Sequence, residues 1–325
     1  MQFLSQKMTM TVFAASVLPI MAQEKVEVFS SLERYNYQTG DASLSVRSYD
    51  GFDDIGGTSI EEDSFNGVGE YYAININGGG DQQIPYSQFY QQYKRGVEYA
   101  TSAAMLAARP IDATYTHVLQ TADEGRIEFE ITAPNVSLAD GIPVDPLFTI
   151  SGVSGTWTSG NNGIGRFEFD PMSVAEFTIT LNAYVAPTGV GTHYTSQVQV
   201  NSIGNGFSEV DTTSSGLLAS SVDPSGLSPL VLTFKRGLAD DAEDGDPTTF
   251  GYQDGSVFEL EGEHVNAWLE TGPGSIGDYD FELTKGFVMQ TVTGMEIAAV
   301  ASIPEPSTSA LLILGIGGRL MRRRR

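Results

Sequence analysis

The side chains in this sequence that could do chemistry are mostly carboxylates. Asp240-Asp241-Ala-Glu243-Asp244-Gly245-Asp246 sets five acids within seven residues, directly after a strand-like run. Calcium gathers roughly six to eight oxygens, and loop carboxylates with backbone carbonyls supply them well outside the cell. Asp240, Asp241, Glu243, Asp244 and Asp246 are therefore the candidate metal ligands, and calcium the candidate cofactor. The run does not follow the EF-hand pattern: counting from Asp240 puts Ala242 where an oxygen ligand belongs and Gly251 where the bidentate Glu should stand. A second acidic group, Asp50-Gly-Phe-Asp53-Asp54, precedes Glu61-Glu62-Asp63. Asn77-Gly-Gly-Gly-Asp81 faintly suggests a calcium-binding nonapeptide repeat in a single copy. A solvated acidic loop is the simpler reading of each cluster.

Paired acids also raise the possibility of general acid–base work. Glu259, Glu261 and Glu263 alternate on one strand face, as do Glu128 and Glu130. Glycosidases hold two carboxyls about 5–5.5 Å or 6.5–9.5 Å apart across a cleft. Neighbours at i, i+2 stand about 7 Å apart by strand rise alone, so the spacing does not discriminate. With 41 Asp and Glu in the chain, solvated sheet faces explain these residues more simply. The three histidines, His117, His193 and His264, lie far apart in strand-like runs and are expected to face outward or to be satisfied internally. The sequence has no Ser-centred nucleophile elbow, Gly-Lys-Ser/Thr phosphate loop or His-Glu-x-x-His. The absence of cysteine excludes disulfides, thiolate zinc sites and Cys nucleophiles. Trp157 and Trp268 are the only tryptophans, few for a sugar cleft, although 14 tyrosines could serve as platforms. The expectation is a protein that is not an enzyme.

The elements that must carry these residues read as β-strands. In Arg126-Ile-Glu-Phe-Glu-Ile-Thr132 the apolar Ile127, Phe129 and Ile131 share one face, and Glu176-Phe-Thr-Ile-Thr-Leu181 repeats the arrangement. Gln197–Val200, Val257–Leu260 and Asp278–Leu283 alternate likewise. One dry and one wet face is the pattern of antiparallel sheets. Gly/Asn/Asp/Pro clusters at 77–81, 123–125, 160–163, 204–206 and 271–274 supply the turns. The predicted fold is all-β, an antiparallel β-sandwich or jelly roll. One helix is predicted near 87–109, from the spacing of Phe89, Tyr93, Val97, Ala100, Ala104 and Ala107 before Pro110, with Gly96 as a blemish. The softest stretch, 211–228, could be a long inter-strand loop or a linker between two β-subdomains; the loop is favoured.

With 17 basic and 41 acidic residues the formal net charge is −24, which argues against nucleic acid as a partner. Residues 1–22 read as a signal peptide: Lys7 is followed by the apolar stretch Met8–Ile20, and Ala22 offers a cleavage point. At the other end Pro304, Glu305 and Pro306 lead into Ala310-Leu-Leu-Ile-Leu-Gly-Ile-Gly-Gly318 and then Arg319, Arg322, Arg323, Arg324 and Arg325. The prolines break any helix continuing upstream, and the arginines hold their side of an apolar segment in the cytoplasm. Ser307–Met321 would span roughly 22 Å as a helix against a bilayer core of about 30 Å, which suits a transient rather than a permanent anchor.

Residues 302–325 taken together resemble the PEP-CTERM sorting signal of Gram-negative bacteria. The resemblance implies an exosortase as partner, transient inner-membrane insertion, and cleavage near Pro304-Glu305-Pro306. It also implies delivery to the cell surface or an exopolysaccharide matrix, and hence exopolysaccharide as a further partner. The expected organisation is a signal peptide (1–22), a β-sandwich body (23–301) and the sorting signal (302–325). The expected function is that of a secreted, non-catalytic matrix or surface protein. The alternatives are a secreted carbohydrate-active enzyme and a calcium-dependent carbohydrate-binding module.

Overall fold

Strand alternation dominates the computed structural model of the chain, which describes residues 25–38, 45–54, 71–84, 86–87, 92–121, 125–204, 215–237, 248–276 and 279–300. The first half of the chain forms β1 (Lys25–Tyr35), β2 (Ser45–Asp54), β3 (Tyr71–Ile76), β4 (Gln82–Ile84), β5 (Tyr86–Ser87), β6 (Gln92–Tyr99), β7 (Thr114–Thr121), β8 (Gly125–Thr132), β9 (Phe148–Ser151) and β10 (Gly155–Ser159). The second half adds β11 (Gly165–Phe169), β12 (Glu176–Leu181), β13 (His193–Gly204), β14 (Ser215–Ser221), β15 (Leu230–Arg236), β16 (Thr249–Tyr252), β17 (Val257–Ile276) and β18 (Tyr279–Ala299). Two short helices, α1 (Ser102–Ala108) and α2 (Leu138–Gly141), complete the set of regular helices among the described residues.

A ten-stranded sheet runs β14-β13-β17-β18-β1-β2-β6-β5, with β11 also paired to β18 and β10 paired to β11. Two four-stranded sheets, β4-β3-β7-β8 and β16-β15-β12-β9, stack on it in a sandwich-like manner. The sequence of β18 explains how one sheet supports both. Phe281, Phe287 and Met289 enter the core shared with Tyr72, Ile74, Tyr115 and Leu119. Further along the same face, Met295, Ile297 and Ala299 enter the core shared with Phe177, Ile179, Leu181 and Phe234. All are odd-numbered, as period-2 alternation requires for one face.

Most pairings are antiparallel, as expected, but β1–β18, β11–β18 and β15–β16 are parallel. Parallel neighbours need connections of about a dozen residues or more: β1 and β11 reach β18 across much of the chain, and residues 237–248 join β15 to β16. The soft stretch 211–228 contains β14, antiparallel to β13, so the large sheet takes strands from both sides of it. The helix predicted over 87–109 is corrected. Residues 92–99 are strand β6, paired to β2, and helix begins at Ser102, capped by the Thr101 side chain, with Met105 its buried residue. Gly96 is the reason: a Cβ there would lie 2.5 Å from Tyr49 Cε1, so this residue is fitted to a close cross-strand approach.

Candidate functional site

The strands gather polar side chains into two buried groups that alternation alone does not reveal. In the first, β1 presents Ser30, β2 Asp50, β3 Tyr72 and β7 His117, and Arg109 follows α1. Each is at most 3% exposed. Ser30 Oγ donates to Asp50 Oδ1 at 2.8 Å and lies 2.9 Å from His117 Nε2. Tyr72 Oη contacts His117 Nδ1, and Arg109 pairs with the other Asp50 oxygen. Tyr72 Oη also donates to Gly51 O at 3.1 Å, so the tautomer of His117 sets the direction of its bonds to Tyr72 and Ser30. The order of contacts differs from that of a hydrolytic triad, in which the acid orients the histidine: here Asp50 contacts Ser30, and the far nitrogen of His117 meets Tyr72 instead of a carboxylate. Burial, with a contribution from Arg109, pushes the His117 imidazole down to about 3 and keeps it neutral. Burial likewise raises the Asp50 carboxyl, while Arg109 and Ser30 pull it back. The group pins the four-stranded sheet carrying Tyr72 and His117 to the large sheet.

The second group covers the opposite face of the large sheet. Glu259, Glu261 and Glu263 form one column on β17, and the latter two are 7% and 1% exposed. The expectation of a solvated face is therefore corrected for this column, whereas Glu128 and Glu130 are exposed as predicted. Beside it on β1, Glu33 accepts from Ser31 Oγ at 3.1 Å and from Tyr35 Oη at 3.0 Å. Arg47 lies 4.3 Å above the Tyr35 ring and bonds Glu98 at 3.2 Å. Burial drives the Tyr35 phenol well up, and Glu33, Tyr49 and Glu261 add to the rise.

At the end of the column Glu259 stands opposite Glu296. Glu296 is 0% exposed with both oxygens engaged. Asn161 N donates to Oε1 at 2.8 Å and Arg166 Nε to Oε2 at 2.7 Å. Glu296 is closed off from solvent and ion-paired to Arg166, so a sugar has no access to this pair as a glycosidase dyad.

The remaining predicted residues are dispersed. Asp240, Asp241, Glu243, Asp244 and Asp246 lie outside the described residues, as do Glu61, Glu62 and Asp63. Pro304, Glu305, Pro306, Arg322, Arg323, Arg324 and Arg325 also lie outside them, together with the signal peptide. Asp50 is not a loop ligand but a buried strand residue. The Asn77-Gly-Gly-Gly-Asp81 segment is the turn between β3 and β4, with positive φ at Asn77 and Gly78. Asp81 is held there by Arg126 at 2.6 Å, which with other hydrogen bonds lowers its carboxyl. His117 is satisfied internally, one of the two expected alternatives; His264 is also buried, its imidazole pushed down to about 4 by burial, and His193 is half-buried. Trp157 is 38% exposed on β10 and meets Phe167 edge-on at 5.5 Å, whereas Trp268 packs against the first core. Among the described residues no group of three or more His, Cys, Asp or Glu could hold a metal ion, and no helix is long and apolar enough to cross a membrane.

Sequence reasoning missed Ser30, Tyr72, Arg109 and Glu296. Ser30 and Tyr72 occupy core-facing positions with nothing in their neighbours to mark them. Arg109 before Pro110 read only as the last residue of the predicted helix. Glu296 is the exception, since one charge amid the apolar run 295–300 is a visible signal.

No protein-family model matches the chain, and no curated protein matches it. Among solved structures, it is similar to the Mu homology domain of Fcho1 from Danio rerio with bound Eps15 peptide. The alignment has 10% identity, covers 84% of this chain and 97% of that one, and gives a TM-score of 0.23, a likeness too slight to carry an argument.

Proposed function

We propose that the protein is an exported, non-catalytic β-sandwich protein of the bacterial surface or exopolysaccharide matrix, delivered there by an exosortase acting on its C-terminal signal. The observation that carries this reading is the order of features in 302–325: Pro304-Glu305-Pro306, then an apolar segment, then Arg322–Arg325. Prolines set a hinge, the apolar run enters the membrane transiently, and the arginines hold the far end in the cytoplasm. The described body is compatible with that route. Its last strand ends at Ala299, and Val300 N donates to Phe169 O at 2.9 Å, so the fold is tied down just before the signal begins. In the buried serine–histidine–aspartate chain the acid contacts the serine and not the histidine, and Glu296 is ion-paired and closed off from solvent, which supports a binding or structural role over an enzymatic one.

Mass spectrometry of the protein secreted by its native host, with and without the exosortase, tests the proposal. The expected mature chain ends near Pro304–Pro306 in the first strain and retains Arg322–Arg325 in the second. Arg322–Arg325 retained on protein exported from the unaltered strain would overturn it.

A further inference from the structure

Where β11 joins the end of β18, one row of side chains crosses five strands. The register sets Asn201 opposite Glu259, Glu259 opposite Glu296, Glu296 beside Arg166, and Arg166 opposite Thr158. The hydrogen-bonding groups in this row do not balance. Each Glu296 oxygen has a donor, Arg166 on one and the Asn161 N–H on the other. Glu259 Oε1 and Asn201 Oδ1 are both buried and neither has a donor. Directly opposite antiparallel residues hold their Cβ atoms about 5 Å apart, within reach of a hydrogen carried by one of them. One proton supplies what is missing. A divalent cation would need oxygens that Arg166 and Asn161 already hold.

We propose that Glu259 is a proton-binding site of the large sheet: it carries a proton on the acid side of neutrality, donates to Asn201, and on ionising loosens the β10–β11 hairpin from the end of β18. The charge count around it explains the direction. Among the described residues, Glu261 faces Glu259 from its own strand, Glu296 from β18, Arg166 and Glu168 from β11, and Tyr37 from beside Gly294. β13 contributes the uncharged Asn201 and Gln199. With Glu259 neutral, Arg166 and Glu296 balance. With Glu259 ionised, two like charges stand directly opposite each other with one guanidinium between them and the hairpin. Burial and the Glu296 charge push the Glu259 carboxyl up to about 7, in accord with that geometry. The hairpin carries Trp157, whose five-residue strand is exposed throughout, so the titration acts on an uncharged sheet edge of the kind that recruits other strands.

The carbon-13 carboxyl resonance of Glu259 in the full-length chain is the direct test. A midpoint near neutrality is expected. A midpoint below about 5, as an Asn201 amide donating to an ionised Glu259 would give, overturns the proposal. Glu259→Gln provides the second reading, since its amide imitates the protonated acid at every pH. The wild-type and E259Q melting temperatures should agree near pH 5.5, and the variant should melt higher by about 2 °C or more near pH 8.5. In a Trp268→Phe background, Trp157 fluorescence should titrate with the Glu259 midpoint and lose that transition in E259Q. Parallel melting profiles for the two proteins, or a wild-type transition moved by calcium rather than by pH, would refute the assignment.

Discussion

Burying a titratable group ties stability to pH, and the sign follows from which form is buried. His117 is buried neutral, with its imidazole at about 3 against an unfolded value of 6.5. The folded chain therefore binds fewer protons than the unfolded one in that window. This contribution is fully present above pH 6.5 and is lost as the pH falls toward 3. Glu259 has the opposite sign: its carboxyl is raised from 4.5 to about 7, so its contribution is full below 4.5 and is lost as the pH rises through 7. Urea denaturation of His117→Gln should show a weaker loss of stability with acid than the wild type, whatever the variant costs at neutral pH. An unchanged slope between the two chains would mean that His117 is not the acid-sensitive group. Neither residue's environment was legible in the sequence. Alternation separates the two faces of a strand but does not say whether the polar face is wet, and here β17 turns Glu261 and Glu263 into a covered face.

Individual strands were readable where one face meets water. β8 and β12 bury Phe129, Ile131, Phe177, Ile179 and Leu181 and leave the residues between exposed in β8 and half-buried in β12, so period-2 patterning finds them. β6 was missed because Val97, Ala100, Ala104 and Ala107 also satisfy helical spacing, and the pairing of Tyr49 with Gly96 that decides the matter belongs to another strand. Gly96→Ala tests that account. Placing a methyl 2.5 Å from Tyr49 Cε1 forces the ring or the strand to shift, at a cost of about 1–3 kcal/mol in chemical denaturation. If the region were helix-forming in its own right, the same change would stabilise the protein, because alanine exceeds glycine in helix propensity by about 1 kcal/mol. The two outcomes differ in sign.

At the scale of the whole molecule, composition and alternation conveyed the all-β class, but not the partition into one large and two small sheets. That partition depends on β18 dividing its apolar residues between two cores, Phe287 and Met289 in one and Met295 and Ile297 in the other. The parallel pairing of β1 with β18 has a further consequence, for assembly. Lys25 meets Glu282 and Tyr35 meets Val292, so the first strand to be synthesised waits for the last before its second edge is occupied. Until then Val28 and Leu32 lack their neighbours, and closing so long a loop is slow. A chain stopped after Ile276 should show no cooperative melting transition even though most of its strands are present; a sharp transition would mean that the nascent chain can close without β18. The polypeptide is thus built like a clasp whose two halves are made at opposite ends of translation, and it is most in need of a chaperone during the interval between them.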